Sequence, residues 1–524
     1  MSLQIAFRNI FDLYIKKAVP RLMQGNKSIT ISTAVVLFIM YLFKEKMMKP
    51  PKNLRHIPYI GYFSIFRTVI TGESFWDRTY RVIVPFVDTL KTNGIYLEYG
   101  RHGWELFVCN SDDIRRVFLD QDLFPKFSIR EGLQDTLFMK FINGENMILA
   151  HTEAWKSQRK VISPAFRRSM PTKVFGNCMQ EMFEAMDQMG PTIDVSNLMR
   201  KYTLDVIGKA GFGFDFNAIR DPNSEWVKTY EGISKAMEDP LFFIFPILDK
   251  DLLWMFPKRI QAHKEMDRFL KMLDGIILNK REALEKEKLE NKEENEKDLL
   301  TLMIESENRG EGNLSNSELK SNLCAFFIAG HDSTASALSY AIHYLAKYPN
   351  IQEKAREEVI RILGDEPVDV IPTIAETKQM TYIHQVMKET LRINNPVPLV
   401  VPRVAAKDTE LSGLFIPKGT FINPALYTVH HREKYWNNSE EFDPDRFSPG
   451  NEENGENWLP FGYGARQCIG INFSLSEQRV LLSMLLRKFT WTTPANSIHK
   501  DQVVPQGLVV IGIHKLDISF EKRY

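Results

Sequence analysis

Apolar and polar positions follow different periods in different parts of this chain, and each period predicts its own element. From Gly94 to Cys109 (GIYLEYGRHGWELFVC) they alternate singly on either side of Gly100-Arg101-His102-Gly103, the pattern of a β-hairpin. From Ser315 to Pro349 they follow the longest helical pattern in the chain. Ser315 and Glu318 have capping-box spacing, and Pro349 marks the end. A helix of about thirty residues extends about 45 Å, enough to cross a whole domain. Inside it lies Ala329-Gly330-His331-Asp332-Ser333-Thr334. Glycine in a helix interior costs about 1 kcal/mol against alanine, and Ser333 and Thr334 can bond back to earlier carbonyls. The spacing therefore predicts a bend and a local opening. Asn395 to Arg403 (NPVPLVVPR) is too rich in proline for helix.

Two runs are apolar throughout. Ser28 to Phe43 is closed by Lys27 and Lys44, and as a helix reaches about 24 Å, slightly short of a bilayer's hydrocarbon layer. Lysine snorkelling closes such a gap, so residues 28–43 are expected to be a transmembrane anchor, with a buried core helix as the alternative. Residues 1–27 before it carry apolar residues at helical spacing with Arg8, Lys16, Lys17 and Arg21, which suits a membrane surface. Residues 44–61, with Pro50-Pro51, Pro58 and Gly61, predict a basic, stiff hinge, leaving 62–524 as the body. The second run is Asp239 to Pro257 (DPLFFIFPILDKDLLWMFP). Lys280 to Asp298 is a run of both charges, expected to be a solvated helix end and loop.

Charge and cysteine usage narrow the classes of function. A net charge of +1 with 25% charged residues gives nucleic acid nothing to bind. The four cysteines, Cys109, Cys178, Cys324 and Cys468, are scattered, with no Cys-x-x-Cys pair for zinc or redox chemistry. No linker-like composition or internal repeat divides the 524 residues.

Cys468 stands apart. It lies in Phe461-Gly462-Tyr463-Gly464-Ala465-Arg466-Gln467-Cys468-Ile469-Gly470, among three glycines and ahead of an apolar run. Glycines permit turns that let a flat ligand approach the main chain, and successive amides in such a turn can hold a thiolate. Arg466 adds a permanent positive charge suited to a carboxylate. Taken alone, Cys468 also reads as a small buried hydrophobe. Trp155 and Arg159, four residues apart on one helix face, can together donate to one carboxylate; a surface helix is the plainer reading. Glu389 and Arg392 at i and i+3 are ordinarily a surface pair, and His430-His431 is better read as solvated or packed than as metal-binding.

The decapeptide matches Phe-x-x-Gly-x-Arg-x-Cys-x-Gly at every fixed position, and in this it resembles the haem-binding signature of the cytochrome P-450 family, of the eukaryotic microsomal type, fungal members included. The resemblance implies a mainly α fold with small β-sheets (α+β), one large catalytic domain behind an N-terminal membrane anchor. It implies haem b with Cys468 as the thiolate ligand of its iron, the only metal-binding residue, and Phe461, Arg466 and Gly470 around it. Trp155, Arg159 and Arg403 would contact the propionates. Asp332 and Ser333 stand where the family has its acid–alcohol pair, with Thr334 as a substitute; the family usually has threonine where this chain has Ser333. Glu389, Arg392 and Arg446 would form a structural triad. Phe326, Ala329, Val397, Leu399, Val400 and Val401 would line the substrate pocket, and Asp239 to Pro257 its membrane-dipping mouth. The activity implied is insertion of one atom of dioxygen into an apolar small molecule: a steroid, fatty acid, terpenoid or xenobiotic. No flavin or nicotinamide fingerprint is present, so electrons would come from NADPH through a separate cytochrome P-450 reductase, with cytochrome b5 as an optional second donor. The setting implied is the endoplasmic reticulum membrane, catalytic domain in the cytosol. Rival readings are a haem-thiolate isomerase or dehydratase of hydroperoxides, against which Asp332 and Ser333 argue, and a non-catalytic haem sensor.

Deleting residues 1–49 is expected to release much of the protein from membranes while leaving haem binding intact, with residual affinity through Phe242, Phe243, Ile244, Phe245 and Trp254. Membrane fractionation and the haem spectrum of the truncated protein check this; loss of haem would put residues 28–43 in the core.

Overall fold

The computed structural model describes residues 48–524 except 90–91, 101, 129–132, 134, 143, 240, 243–244, 287–292, 452–454, 501 and 508–509. The expected amphipathic segment 1–27 and anchor 28–43 lie outside the described residues. Among the described residues no helix is long and apolar enough to cross a membrane. The fold is mostly helical with small sheets, and its helices of nine residues or more are numbered α1 to α12 below.

The chain forms two compact units. The first comprises the chain up to Phe127 together with Val401–Thr428. It carries α1 (Tyr62–Thr71), α2 (Ser111–Leu119) and a four-stranded sheet ordered 95–100, 103–108, 421–424, 403–404. The predicted hairpin forms, Ile95 opposite Val108 and Gly100 opposite Gly103, and its second strand runs parallel to Phe421–Pro424. Inward alternation buries Ile95, Leu97, Leu106 and Val108 completely. The expected hinge is corrected at its C-terminal end. Leu97 donates to Pro58 O at 2.8 Å and accepts from Ile60 N at 2.9 Å, while Ile57 and Ile60 are buried. Strand pairing at an open sheet edge has turned the last residues of a supposed linker into part of the unit.

The second unit, Ser128–Val400 with Val429–Tyr524, holds α3 (Thr152–Arg168), α4 (Thr172–Asp187), α5 (Val195–Val206), α6 (Glu225–Met237), α7 (Pro257–Glu285), α8 (Leu299–Asn308), α9 (Asn316–Lys347), α10 (Pro349–Leu363), α11 (Thr381–Ile393) and α12 (Ile471–Lys488). Two small antiparallel sheets border them. The axis is α9, which packs against α5, α7, α11 and α12. Its capping box forms as predicted, Ser315 Oγ accepting from Glu318 N and the Glu318 carboxylate from Ser315 N. Pro349 does more than end it: it occupies the first turn of α10, where a missing N–H costs nothing. The predicted opening does not appear, since α9 runs unbroken through residues 329–334. Ser333 Oγ does bond back to Ala329 O, at 2.6 Å, but shares that carbonyl with the helix.

Both ends of the charge run are packed. Lys280 Nζ lies 2.9 Å from Asp298 Oδ2, with both side chains largely covered. In the apolar run, Phe242 is buried against Phe256 and beneath Arg259, contrary to its expected place on the surface. Leu241, Phe245, Ile247, Trp254 and Met255 are exposed; Phe243 and Ile244 lie outside the described residues.

Glu389, Arg392 and Arg446 come together. Arg392 Nε and Nη2 grip the Glu389 carboxylate at 2.7 and 2.8 Å, and Arg446 Nε reaches it at 3.2 Å. Glu389 and Arg392 have no solvent exposure, so this is a buried network and not a surface pair. Arg392→Lys keeps the charge but loses the planar fork, and should destabilise the protein by roughly 3 kcal/mol or more. Thermal unfolding checks this; a variant as stable as the parent would show the network to be dispensable.

Candidate functional site

The loop before α12 is shaped by its hydrogen bonds. Trp458 Nε1 donates to Lys388 O at 2.9 Å, fixing the loop's start to α11. Gly462 and Gly464 take φ of 70° and 71°, a region that residues with a Cβ resist, and Gly464–Arg466 forms a short 3-10 turn. Cys468 N then closes the loop on Phe461 O at 2.9 Å. Gly470 is the N-cap of α12 at φ −81°, so its value lies in its amide rather than in conformational freedom.

Of the four cysteines only Cys468 is exposed, yet desolvation by surrounding protein pushes its thiol up. A sulfur that is reachable but poorly hydrated lies on the wall of a recess. The Gly470 and Ile471 amides and the Arg159 guanidinium all favour its anion. Burial also pushes up the thiols of Cys178 and Cys324, the latter to about 12. A soft cation completes what these dipoles begin, because a coordinating thiol is deprotonated outright.

The charged groups beside the loop differ in detail from expectation. Trp155 is buried in α3, but the guanidinium over its ring, 3.9 Å from the centroid, is that of Arg466. Arg466 Nη1 also donates to Ala150 O at 3.0 Å. Arg159 Nη1 donates to Gln467 O at 3.3 Å, and among the described residues no carboxylate pairs with it. Burial lowers the Arg159 guanidinium, as expected of a cation awaiting a counter-charge. In the first unit Arg403 is buried, its Nε has no partner, and burial brings it down to about 10. A buried guanidinium without an acidic partner is an anion receptor.

One face of α9 stays open. Ala329 is exposed and Gly330 and Ser333 partly so, in a stretch where Phe327 and Thr334 are buried. Phe326, expected in the pocket, is instead packed edge-on against Phe166 at 5.1 Å; a Cβ on Gly470 would meet that same Phe166 at 3.8 Å. Val397 and Val400 are half-buried and Leu399 is exposed, while Val401 belongs to the first unit. Thr334 is not free to substitute for Ser333, because its hydroxyl lies 3.0 Å from Ser474 Oγ in the first turn of α12. Asp332 faces away from Ser333. Its Oδ1 is 3.3 Å from Arg200 Nη2 of α5 and 3.6 Å from His331 Nε2. Burial holds the His331 imidazole down to about 4, and its Nδ1 meets Thr203 Oγ1 at 2.9 Å. No local pattern marked Arg200 or Ser474, since both are partners from distant segments.

The comparisons agree with this geometry. The family Cytochrome P450 matches residues 90–520. Cytochrome P450 3A12 of Canis lupus familiaris is 30% identical over 444 residues, covering 78% of this chain and 84% of that protein. Cytochrome P450 3A5 of Homo sapiens is 30% identical over 398 residues, covering 72% and 75%. The crystal structure of the cytochrome P450DA heme domain superposes with a TM-score of 0.74 at 20% identity, over 89% of this chain and 97% of that one, and shares the fold. The chain belongs to the cytochrome P450 family. It is accordingly a haem-thiolate monooxygenase, an oxidoreductase, and the recessed thiol with its two amides and neighbouring cations fits a haem iron and its propionates.

Gly470→Ala should retain haem and the thiolate spectrum, since the added Cβ meets Phe166 and Cys468 Sγ only at ordinary contact distances of 3.8 and 3.9 Å. Gly462→Ala should lose roughly 1 kcal/mol or more and shed haem more readily. Haem retention on dilution distinguishes them; equal losses would mean that Gly470 is needed for its small size.

Proposed function

We propose that this P450 inserts one atom of dioxygen into an apolar small molecule, of the steroid, fatty acid, terpenoid or xenobiotic kind, using NADPH electrons delivered by a separate reductase, with cytochrome b5 as a second donor. The observation carrying the site assignment is the exposed Cys468 thiol under the amides of Gly470 and Ile471. Cys468 would hold the haem iron through its thiolate, and haem b bound in this way would supply the activation of dioxygen. Trp155, Arg159 and Arg466 would hold propionate. Phe461 contributes the carbonyl that closes the loop. The small exposed Ala329 leaves room for substrate over α9, with Val397, Leu399 and Val400 offering apolar surface.

Ser333 accepts a water at Oγ, because its own proton is committed to Ala329 O. That water passes a proton on while bulk solvent stays excluded. Asp332 supplies the proton from the neighbouring face of α9 by swinging off Arg200. Exposed Leu241, Phe245, Ile247, Trp254 and Met255 support membrane contact beside the substrate entrance, and with it attachment to the endoplasmic reticulum membrane, catalytic domain in the cytosol.

Cys468→His should abolish the red-shifted Soret band of the reduced carbon monoxide complex; its survival would overturn the ligand assignment. With reductase and NADPH, Ser333→Ala should divert electrons to peroxide, losing about tenfold in product per NADPH, or about 1.4 kcal/mol in the partitioning barrier. Thr334→Ala should couple almost normally. The reverse ranking would move the relay to Thr334.

A further inference from the structure

Resting on the monooxygenase reading above, a polar cleft beside α9 extends that scheme outward from Asp332 and Arg200. A cleft in the second unit is lined by Ser196, Arg200, Glu238, Asp332, Ser336 and Ser339, together with Gln506, Gly507 and Gly512. It lies along the face of α9 that carries Asp332, Ser336 and Ser339, next to the face that carries Ala329 and Ser333. We propose that this cleft is the route by which solvent protons reach Asp332, and that Glu238 loads them.

The ion count makes the case. Two carboxyl groups share one guanidinium across this cleft, so Arg200 can neutralise only one of them. The Asp332 carboxylate has the direct contact, at 3.3 Å. Glu238, at the C-terminal end of α6, is left with a partly buried carboxyl next to an existing negative charge. Burial and the Asp332 charge weaken its acidity, with Arg200 opposing, so its carboxyl holds a proton more readily than a free glutamate does. The remaining groups facing the pair do not compete. Tyr230 of α6 and His331 of α9 are buried and neutral, the phenol pushed up and the imidazole held at about 4. Glu231 adds negative potential on the α6 side, and across the cleft His514 is engaged with Gln506 at 3.0 Å.

The geometry also gives the path a direction. Arg200 is 46% exposed in its side chain and Asp332 only 15%, so the ion pair spans the passage from solvent to interior. Ser336 provides a hydroxyl for waters along the wall. Glu238 gives its proton to a cleft water. Asp332 takes one up on that side as it leaves Arg200 and releases it to the water at Ser333 Oγ. Bulk solvent reprotonates Glu238, and no electron moves. Glu238 is thus a positioning residue for protons that acts through Asp332, not on the reacting atoms.

The test uses Glu238→Gln and Glu238→Asp in the full-length holoenzyme with reductase, dioxygen as sole electron acceptor, from mildly acidic to alkaline pH. In the parent, the peroxide fraction of NADPH-derived electrons should climb as Glu238 deprotonates. Glu238→Gln should raise that fraction about threefold at the acidic end of the range and abolish its pH dependence, and Glu238→Asp should restore the dependence at lower pH. A readout independent of turnover is the infrared spectrum of the resting protein, in which Glu238→Gln should remove one protonated-carboxyl band that titrates in the parent. A thiolate enzyme whose pH profile and carboxyl bands are unchanged by Glu238→Gln would overturn the proton entry alone. A parent protein lacking the thiolate Soret band would overturn the monooxygenase reading beneath it, with the infrared band still reporting on Glu238.

Discussion

Arg392 is a cation with no access to water, and much of the second unit is arranged to make that tolerable. Removing a charge from water costs several kcal/mol unless every donor is met. Here all five N–H groups are met: Nε and Nη2 by Glu389, Nη1 by the carbonyls of His430 and Ser439, and Nη2 again by Glu441 O. Three of those acceptors are main-chain groups of the meander after α11, so one side chain dictates where that chain runs. The constraint propagates. His430, held through its carbonyl and kept neutral by burial, accepts Leu459 N at Nε2 at 3.0 Å. Leu459 opens the loop that ends at Cys468. The thiol's position is therefore tied to α11 by a chain of bonds as well as shaped by the glycines beside it.

What could be read from the sequence was what short-range physics determines. The hairpin, the capping box of α9 and the turn glycines at 462 and 464 each follow from residues within a few positions of one another, and each formed. The cysteine loop was legible for the same reason, as a dense local pattern. Pairings between distant segments were not. Nothing near Asp332 announces Arg200, and nothing near Thr334 announces Ser474. The guanidinium expected beside Trp155 was Arg159 by helical spacing, whereas Arg466 from the loop occupies the ring face. His430 and His431 are packed, as one of their two readings had it, but their use as main-chain partners depends on a fold no local rule supplies. The two-unit division escaped for a related reason. The chain enters the first unit, leaves it and returns at Val401, so no composition boundary marks it.

Helix α9 inverts the usual logic of amphipathicity. Most of its second half is buried, polar and apolar residues alike, so hydrophobic periodicity says little about which face matters. The informative positions are the exceptions: a small residue, Ala329, left exposed within an otherwise closely packed helix. The same crowding explains its charges. His331 stays neutral because burial outweighs the attraction of Asp332, which among the described residues leaves Arg200 as the cation in contact with that carboxylate and Glu238 with no ion pair of its own.

Ser333 shows how a departure from the family pattern can be compensated locally. Threonine, usual at this place in the family, restrains its hydroxyl through a methyl group that limits χ1. Serine lacks that restraint, and a freely turning hydroxyl would present its proton and its lone pairs to the open face in turn. The bond from Ser333 Oγ to Ala329 O, at 2.6 Å, removes that freedom. It fixes the rotamer, directs the hydroxyl proton into the helix and leaves the lone pairs as acceptors toward the space beside Ala329. The carbonyl it uses is one turn back on the same face, so the restraint depends on α9 remaining unbroken between residues 329 and 333. An opening of the helix there would admit water but release the hydroxyl. An intact helix with a serine thus does by hydrogen bonding what steric bulk does with a threonine.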